Sequence, residues 1–183
     1  MPYSLNKTKK PPKLLELEAL KSYAAMALAS RAQSTSELRT RLRRKAARPE
    51  DVDEILAYLT ESGYVDDSRF AGAFAEWRKE NQGFGKTRVV RDLMSRRVAP
   101  AVAKAAAEKV FEGLDEVKLI EDFLARRYRG KDMKSFLAEQ KNLASAFRRL
   151  RTAGFGSSNA IRVLKRYASA AEEIEEVEET VEE

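Results

Sequence analysis

Val52, Ile55, Leu56 and Leu59 stand at i, i+3, i+4 and i+7, the spacing that lines one face of an α-helix. The pattern returns 51 residues later at Ala103, Ala106, Ala107 and Val110, and 57 residues after that at Ala160, Val163, Leu164 and Tyr167. Pro49, Pro100 and Ser157 precede the three copies, at positions suited to the first turn of a helix. Core positions and start positions therefore recur together, which predicts a chain of repeated helical units rather than one nine-helix globule with accidental periodicity. Five prolines and eight glycines leave little to break helices, and no segment alternates apolar and polar residues with the β-branched enrichment of a strand.

Each repeated pair follows an apolar helix of its own. Leu14, Leu17, Leu20 and Leu28 predict a first helix running to about Ala32. Ser34 with Glu37 then forms a capping box ahead of a helix carrying Leu38 and Leu42. Pro49, Glu50 and Asp51 open a third helix, which Gly63 stops. Asp66 or Asp67 caps the next helix, whose predicted core stripe is Phe70, Phe74 and Trp77, and Gly83 and Gly85 end it. A helix with Val89 and Leu93 follows, and the third leading helix spans about Glu116 to Arg129 with Val117, Ile120, Phe123 and Leu124. The expected fold is all-α: three tandem three-helix, helix-turn-helix-like repeats in an elongated array that can curve. The boundaries are a basic disordered leader at 1–12, modules at 13–65, 66–113 and 114–170, and an acidic tail at 171–183. Units of about 50 residues have small cores, so neighbours are expected to pack on one another as solenoid repeats do.

The charge pattern narrows the function. The chain has 35 basic and 29 acidic residues, but eight of the acidic ones lie in Glu172–Glu183, so residues 1–171 carry a net +14. A basic body with an acidic tail points to a polyanion such as nucleic acid, and the tail is expected to compete with that polyanion for the body. Zero cysteines and zero histidines exclude thiolate metal sites and remove the commonest general base. No apolar run approaches the length of a membrane span and Met1 to Lys13 lacks a signal-peptide core, so a cytoplasmic location is expected. Gly83-Phe-Gly-Lys-Thr lacks the first glycine and preceding strand of a phosphate loop. Asp66 and Asp67 have no third carboxylate at helical spacing with which to hold magnesium. No catalytic residue, metal site or cofactor is expected.

Positive charge recurs on the second helix of each unit. Module one offers Arg39, Arg41, Arg43, Arg44 and Lys45, module two Lys86, Arg88, Arg91, Arg96 and Arg97, and module three Arg148, Arg149 and Arg151. Guanidinium groups at regular intervals on rigid helices suit phosphate neutralisation with little base specificity. A major-groove reader fits poorly, because Glu50 to Thr60 is acidic at its start and the matching helix of module two is mostly alanine. Trp77 could stack on a base, but its place on the expected core stripe favours packing.

Gly63-Tyr-Val-Asp-Asp-Ser-Arg-Phe-Ala71, preceded by Ser36-Glu-Leu38 and Leu42 and followed by Gly85, Val89 and Leu93, resembles the RecX regulatory proteins of bacteria over about residues 20–168. The resemblance is strongest from Ser34 to Val98. It implies an all-helical, monomeric, non-enzymatic regulator that binds the RecA recombinase and its filaments on single-stranded DNA. Such a regulator limits filament growth, ATP hydrolysis and strand exchange in recombination, DNA repair and the SOS response. It also implies DNA binding. The resembling positions, Ser34, Leu38, Leu42, Asp67, Phe70, Ala71, Gly85 and Leu93, are caps and core, so the site residues rest on the charge pattern alone. A DNA-binding or architectural protein without a RecA partner is the alternative. The leader, the glutamate-rich tail and the stretch from Arg129 to Leu143 depart from the family pattern.

Overall fold

The computed structural model describes residues 14–168, and every regular element in them is an α-helix apart from one isolated parallel bridge between Leu15 and Ala46. The leader and the acidic tail lie outside the described residues. Two compact units divide the chain, Met1–Asp67 and Ser68–Glu183.

The first unit packs α1 (Leu17–Ser30), α2 (Thr35–Arg43) and α3 (Pro49–Glu61) around Leu20, Leu38, Leu42, Val52, Ile55 and Leu56. The first helix is shorter than its leucines suggest. Leu14 is exposed ahead of it, and at its end the side chains of Ser30 and Gln33 both donate to the Ala27 carbonyl, at 2.8 and 2.7 Å, while Arg31 turns extended. The capping box forms as its sequence demands: the Glu37 amide donates to Ser34 Oγ at 3.2 Å and the Ser34 amide to Glu37 Oε2 at 3.3 Å. Asp67 supplies a further cap, though to α2 rather than to the helix it begins. Its Oδ1 accepts from the Thr35 amide at 2.7 Å and the Thr35 hydroxyl at 3.1 Å. The start of α2 thus has its orphan amides satisfied from two directions. Ser34→Ala is expected to cost about 1 kcal/mol, read as a lower urea midpoint in helical circular dichroism with an unchanged slope. An unmoved midpoint would mean that Asp67 alone secures this helix start.

The second unit holds the other helices: α4 (Asp67–Gln82, whose first residue closes the first unit), α5 (Lys86–Ser95), α6 (Pro100–Phe111), α7 (Glu116–Arg127), α8 (Met133–Leu137), α9 (Gln140–Ala153) and α10 (Ser157–Leu164). Two hydrophobic clusters form in it. Ala71, Ala75, Val89, Leu93, Val98, Ala103 and Ala107 make a small-residue core, and Ile120, Leu124, Leu143, Phe147, Leu150, Phe155 and Val163 belong to a larger one. The half-buried ring of Phe84 packs against both.

The expected stripe on α4 is displaced. Ala71 and Ala75 are the buried pair, Phe70 and Phe74 flank them, and Trp77 is 49% exposed, so its expected core role is wrong. At about 100° per residue Trp77 lies about 200° beyond Ala75, on the far side of the helix. Within Arg129 to Leu143 the chain inserts the short α8, capped by Asp132 accepting from the Ser135 amide at 3.1 Å and anchored by buried Leu137. The Ser135 hydroxyl and amide hold the Asp132 carboxyl below its ordinary pKa.

Gly85 and Gly154 bring the two clusters of the second unit together. Gly85 is the N-cap of α5, and its amide donates to the Ala153 carbonyl at 2.8 Å. Gly154 closes α9 at φ +93°, a left-handed conformation that glycine adopts without penalty.

Candidate nucleic-acid interface

The basic residues of the first unit do different jobs. Arg41 is tied into the fold, with Nε donating to the Tyr23 hydroxyl at 2.9 Å and its guanidinium 5.4 Å from the centre of that ring. Arg39 pairs with Asp53. Arg43 and Arg44 project into solvent at the end of α2, and Lys45 is half-buried with its carbonyl accepting from the Leu15 amide at 2.7 Å.

In the second unit the basic residues of α5 and its C-cap do not form one ridge. Lys86 pairs with Glu108 on α6, Arg91 is exposed, and Arg96 lies over Phe70 and Phe74 at 5.3 and 5.5 Å. Arg97 is exposed at φ +60°, the one non-glycine residue in the left-handed region among the described residues. Arg88 turns the other way. Its Nε donates to Asp92 Oδ1 at 2.9 Å, its Nη1 to the Thr152 carbonyl at 3.3 Å, and its guanidinium stands 5.1 Å from the centre of the Phe84 ring. The buried Asp92 also pairs with Arg78, so one carboxylate fixes two arginines by charge-assisted bonds.

Arg88 thereby lines a groove of about 710 Å³ in the second unit. Asn81 and Gln82 at the end of α4 line it, with Phe123, Arg126 and Arg127 of α7 and Ser145, Arg148, Arg149, Thr152 and Ala153 of α9. Phe84 and Phe123 provide apolar surface, and five arginines line the groove with no carboxylate among its lining residues. Arg126 Nη1 donates to the Glu80 carbonyl at 3.0 Å. Arg127, Arg148 and Arg149 are exposed and have no hydrogen bond or ion pair among the described residues. Arg151 points elsewhere and donates to the Phe155 carbonyl at 2.9 Å.

Of the expected site residues, the structure therefore gathers Arg88, Arg148 and Arg149, and adds Arg126 and Arg127, which the sequence reasoning missed. The signal that could have found them is the basic run Arg126-Arg127-Tyr128-Arg129 at a helix C-terminus, where positive charge also suits the helix dipole. Converging guanidinium groups above apolar surface can bind an extended polyanion in bidentate fashion. Among the described residues no group of three or more His, Cys, Asp or Glu is placed to hold a metal ion, and no helix is long and apolar enough to cross a membrane.

Comparison with known proteins gives one consistent result. Residues 66–106 match the family described as RecX, second three-helix domain. The chain is 33% identical to a regulatory protein RecX of Chromohalobacter salexigens over 120 residues, covering 64% of this chain and 77% of that protein. It is also 33% identical to the regulatory protein RecX of Deinococcus radiodurans over 141 residues, covering 77% of this chain and 64% of that longer protein. The crystal structure of RecX from Lactobacillus salivarius superposes with a TM-score of 0.63 at 16% identity, over 82% of this chain and 96% of that one, which establishes the shared helical fold. On fold and sequence together, the chain belongs to the RecX family of regulatory proteins.

Proposed function

We propose that this chain binds RecA and RecA filaments on single-stranded DNA in the cytoplasm, as a monomer of three three-helix modules, and restrains filament growth, ATP hydrolysis and strand exchange. Family membership is the observation that carries this reading. The arginine groove supports it, since a filament on single-stranded DNA offers phosphate that converging guanidinium groups can neutralise. No step in this function needs a catalytic residue, a metal or a cofactor. It is binding energy, applied to one state of a filament, that shifts the filament's equilibrium.

The alternative, a DNA-binding or architectural protein without a RecA partner, draws on the same groove, because any phosphodiester chain would meet the same arginines. The rate of DNA-dependent ATP hydrolysis by RecA, with and without the full chain, separates the two. The rate is expected to fall as the protein approaches saturation. An unchanged rate at saturating protein sinks the RecA reading, and tight binding of the bare single strand in that experiment would support the alternative.

A further inference from the structure

The groove has features that phosphate alone does not call for. Phe84, Phe123 and Ala153 give it apolar surface beneath the arginines, so its best-matched occupant carries carboxylates and aliphatic side chains together. Such a segment exists in this chain. Residues 172–183 hold eight glutamates and no basic residue, interspersed with Ile174, Val177 and Val181. We infer that the arginine groove is a docking surface for this chain's own segment 172–183, which covers it until a polyanion displaces it.

Chain length and the position of the last described residues allow this. Tyr167 and Ala168 pack against the larger hydrophobic cluster, to which α7 and α9, two walls of the groove, contribute. Arg166 pairs with Glu121 on α7, five residues before Arg126, or about 7.5 Å along the helix axis. Glu172 lies four residues beyond Ala168, and at about 3.5 Å per residue the chain reaches about 14 Å by Glu172 and about 50 Å by Glu183. Tethering over that distance gives the segment an effective concentration in the millimolar range. Arg127, Arg148 and Arg149, which have no partner among the described residues, are the guanidinium groups open to its carboxylates.

The absence of cysteine from the sequence allows a direct test in the full chain. Two double variants are oxidised with oxidised glutathione at low salt: Ser145→Cys with Val177→Cys, which places one thiol in the groove, and Lys104→Cys with Val177→Cys, which places it on the exposed face of α6. The groove pair is expected to form its intramolecular disulfide at least about tenfold faster. At about 1 M salt, where the Debye length is about 3 Å, or with Arg127, Arg148 and Arg149 replaced by Ala, the rate should fall to that of the α6 pair. Equal rates for the two pairs, or disulfides only between chains, overturn the inference. A groove pair trapped at the control rate in a protein whose arginine variant loses oligonucleotide affinity assigns the groove to nucleic acid alone. The assay contains neither RecA nor DNA, so its outcome is independent of the filament reading.

Discussion

Gly154→Ala is expected to destabilise the protein by about 3 kcal/mol, whereas Gly113→Ala should cost only about 1 kcal/mol. Both glycines have positive φ, +93° and +69°, so both substitutions carry the conformational cost of placing an L-residue in the left-handed region. Only one of them also meets a neighbour. A Cβ on Gly154 would stand 2.2 Å from the Arg88 amide nitrogen and 2.5 Å from the Arg88 Cβ, while one on Gly113 finds nothing within 4 Å. The obstructing atoms include backbone at the first turn of α5, which cannot rotate away, so the two helices must separate, and overpacking of that kind adds roughly 1–3 kcal/mol. Gly85 faces the same constraint from the other side, with its Cβ 2.6 Å from the Gly154 carbonyl oxygen. Urea unfolding followed by circular dichroism measures the difference. Matching midpoints for Gly154→Ala and Gly113→Ala would show that the close approach carries no stability. Because Arg88, Thr152 and Ala153 line the groove beside this contact, separation there should also lower affinity for single-stranded DNA.

That contact also marks the limit of what could be read from the sequence. Ser34 with Glu37 and Pro49 at the start of α3 were legible, because capping chemistry acts within one helical turn. Core positions such as Val52, Ile55 and Leu56, or Ala160, Val163 and Leu164, were legible because periodicity encodes a buried face. The α4 stripe departs from expectation because side-chain size does not decide burial there: small Ala71 and Ala75 are buried while the large Trp77 faces solvent. The groove needed three long-range facts that no periodicity contains. Gly85 must meet Gly154, Asp92 must turn Arg88 toward Thr152, and the end of α7 must lie beside α9. Of the positive charge expected on the second helix of each module, Arg88, Arg148 and Arg149 line the groove. The expected in-register ridges do not describe the second unit, where Lys86 and Arg96 answer local partners while Arg88 joins arginines from other helices.

The sharpest consequence concerns salt. In a chain from which residues 172–183 are deleted, so that no intramolecular carboxylate competes, replacing Arg127, Arg148 and Arg149 together by Ala should weaken single-stranded DNA binding at least about tenfold at low salt, and should lower the dependence of log affinity on log salt by about 2. Each phosphate contact on a single strand contributes about 0.7 to that slope, and three guanidinium groups are removed. Stability should change little, because these side chains are exposed and bond to nothing among the described residues, and such substitutions usually stay within about 0.5 kcal/mol. Arg88 and Arg151 are unsuitable for this purpose: each donates to a backbone carbonyl, Thr152 or Phe155, so their loss would confuse folding with binding. Replacing Arg43, Arg44 and Lys45 in the first unit removes the same formal charge from a helix end instead of a groove, and should reduce affinity and slope by less. A fluorescence-anisotropy titration of a labelled oligonucleotide between about 50 and 200 mM salt gives both quantities. If the groove variant keeps its slope, or the two triple variants behave alike, positive charge acts here as a diffuse property of the surface and the convergence of arginines in the second unit contributes nothing specific.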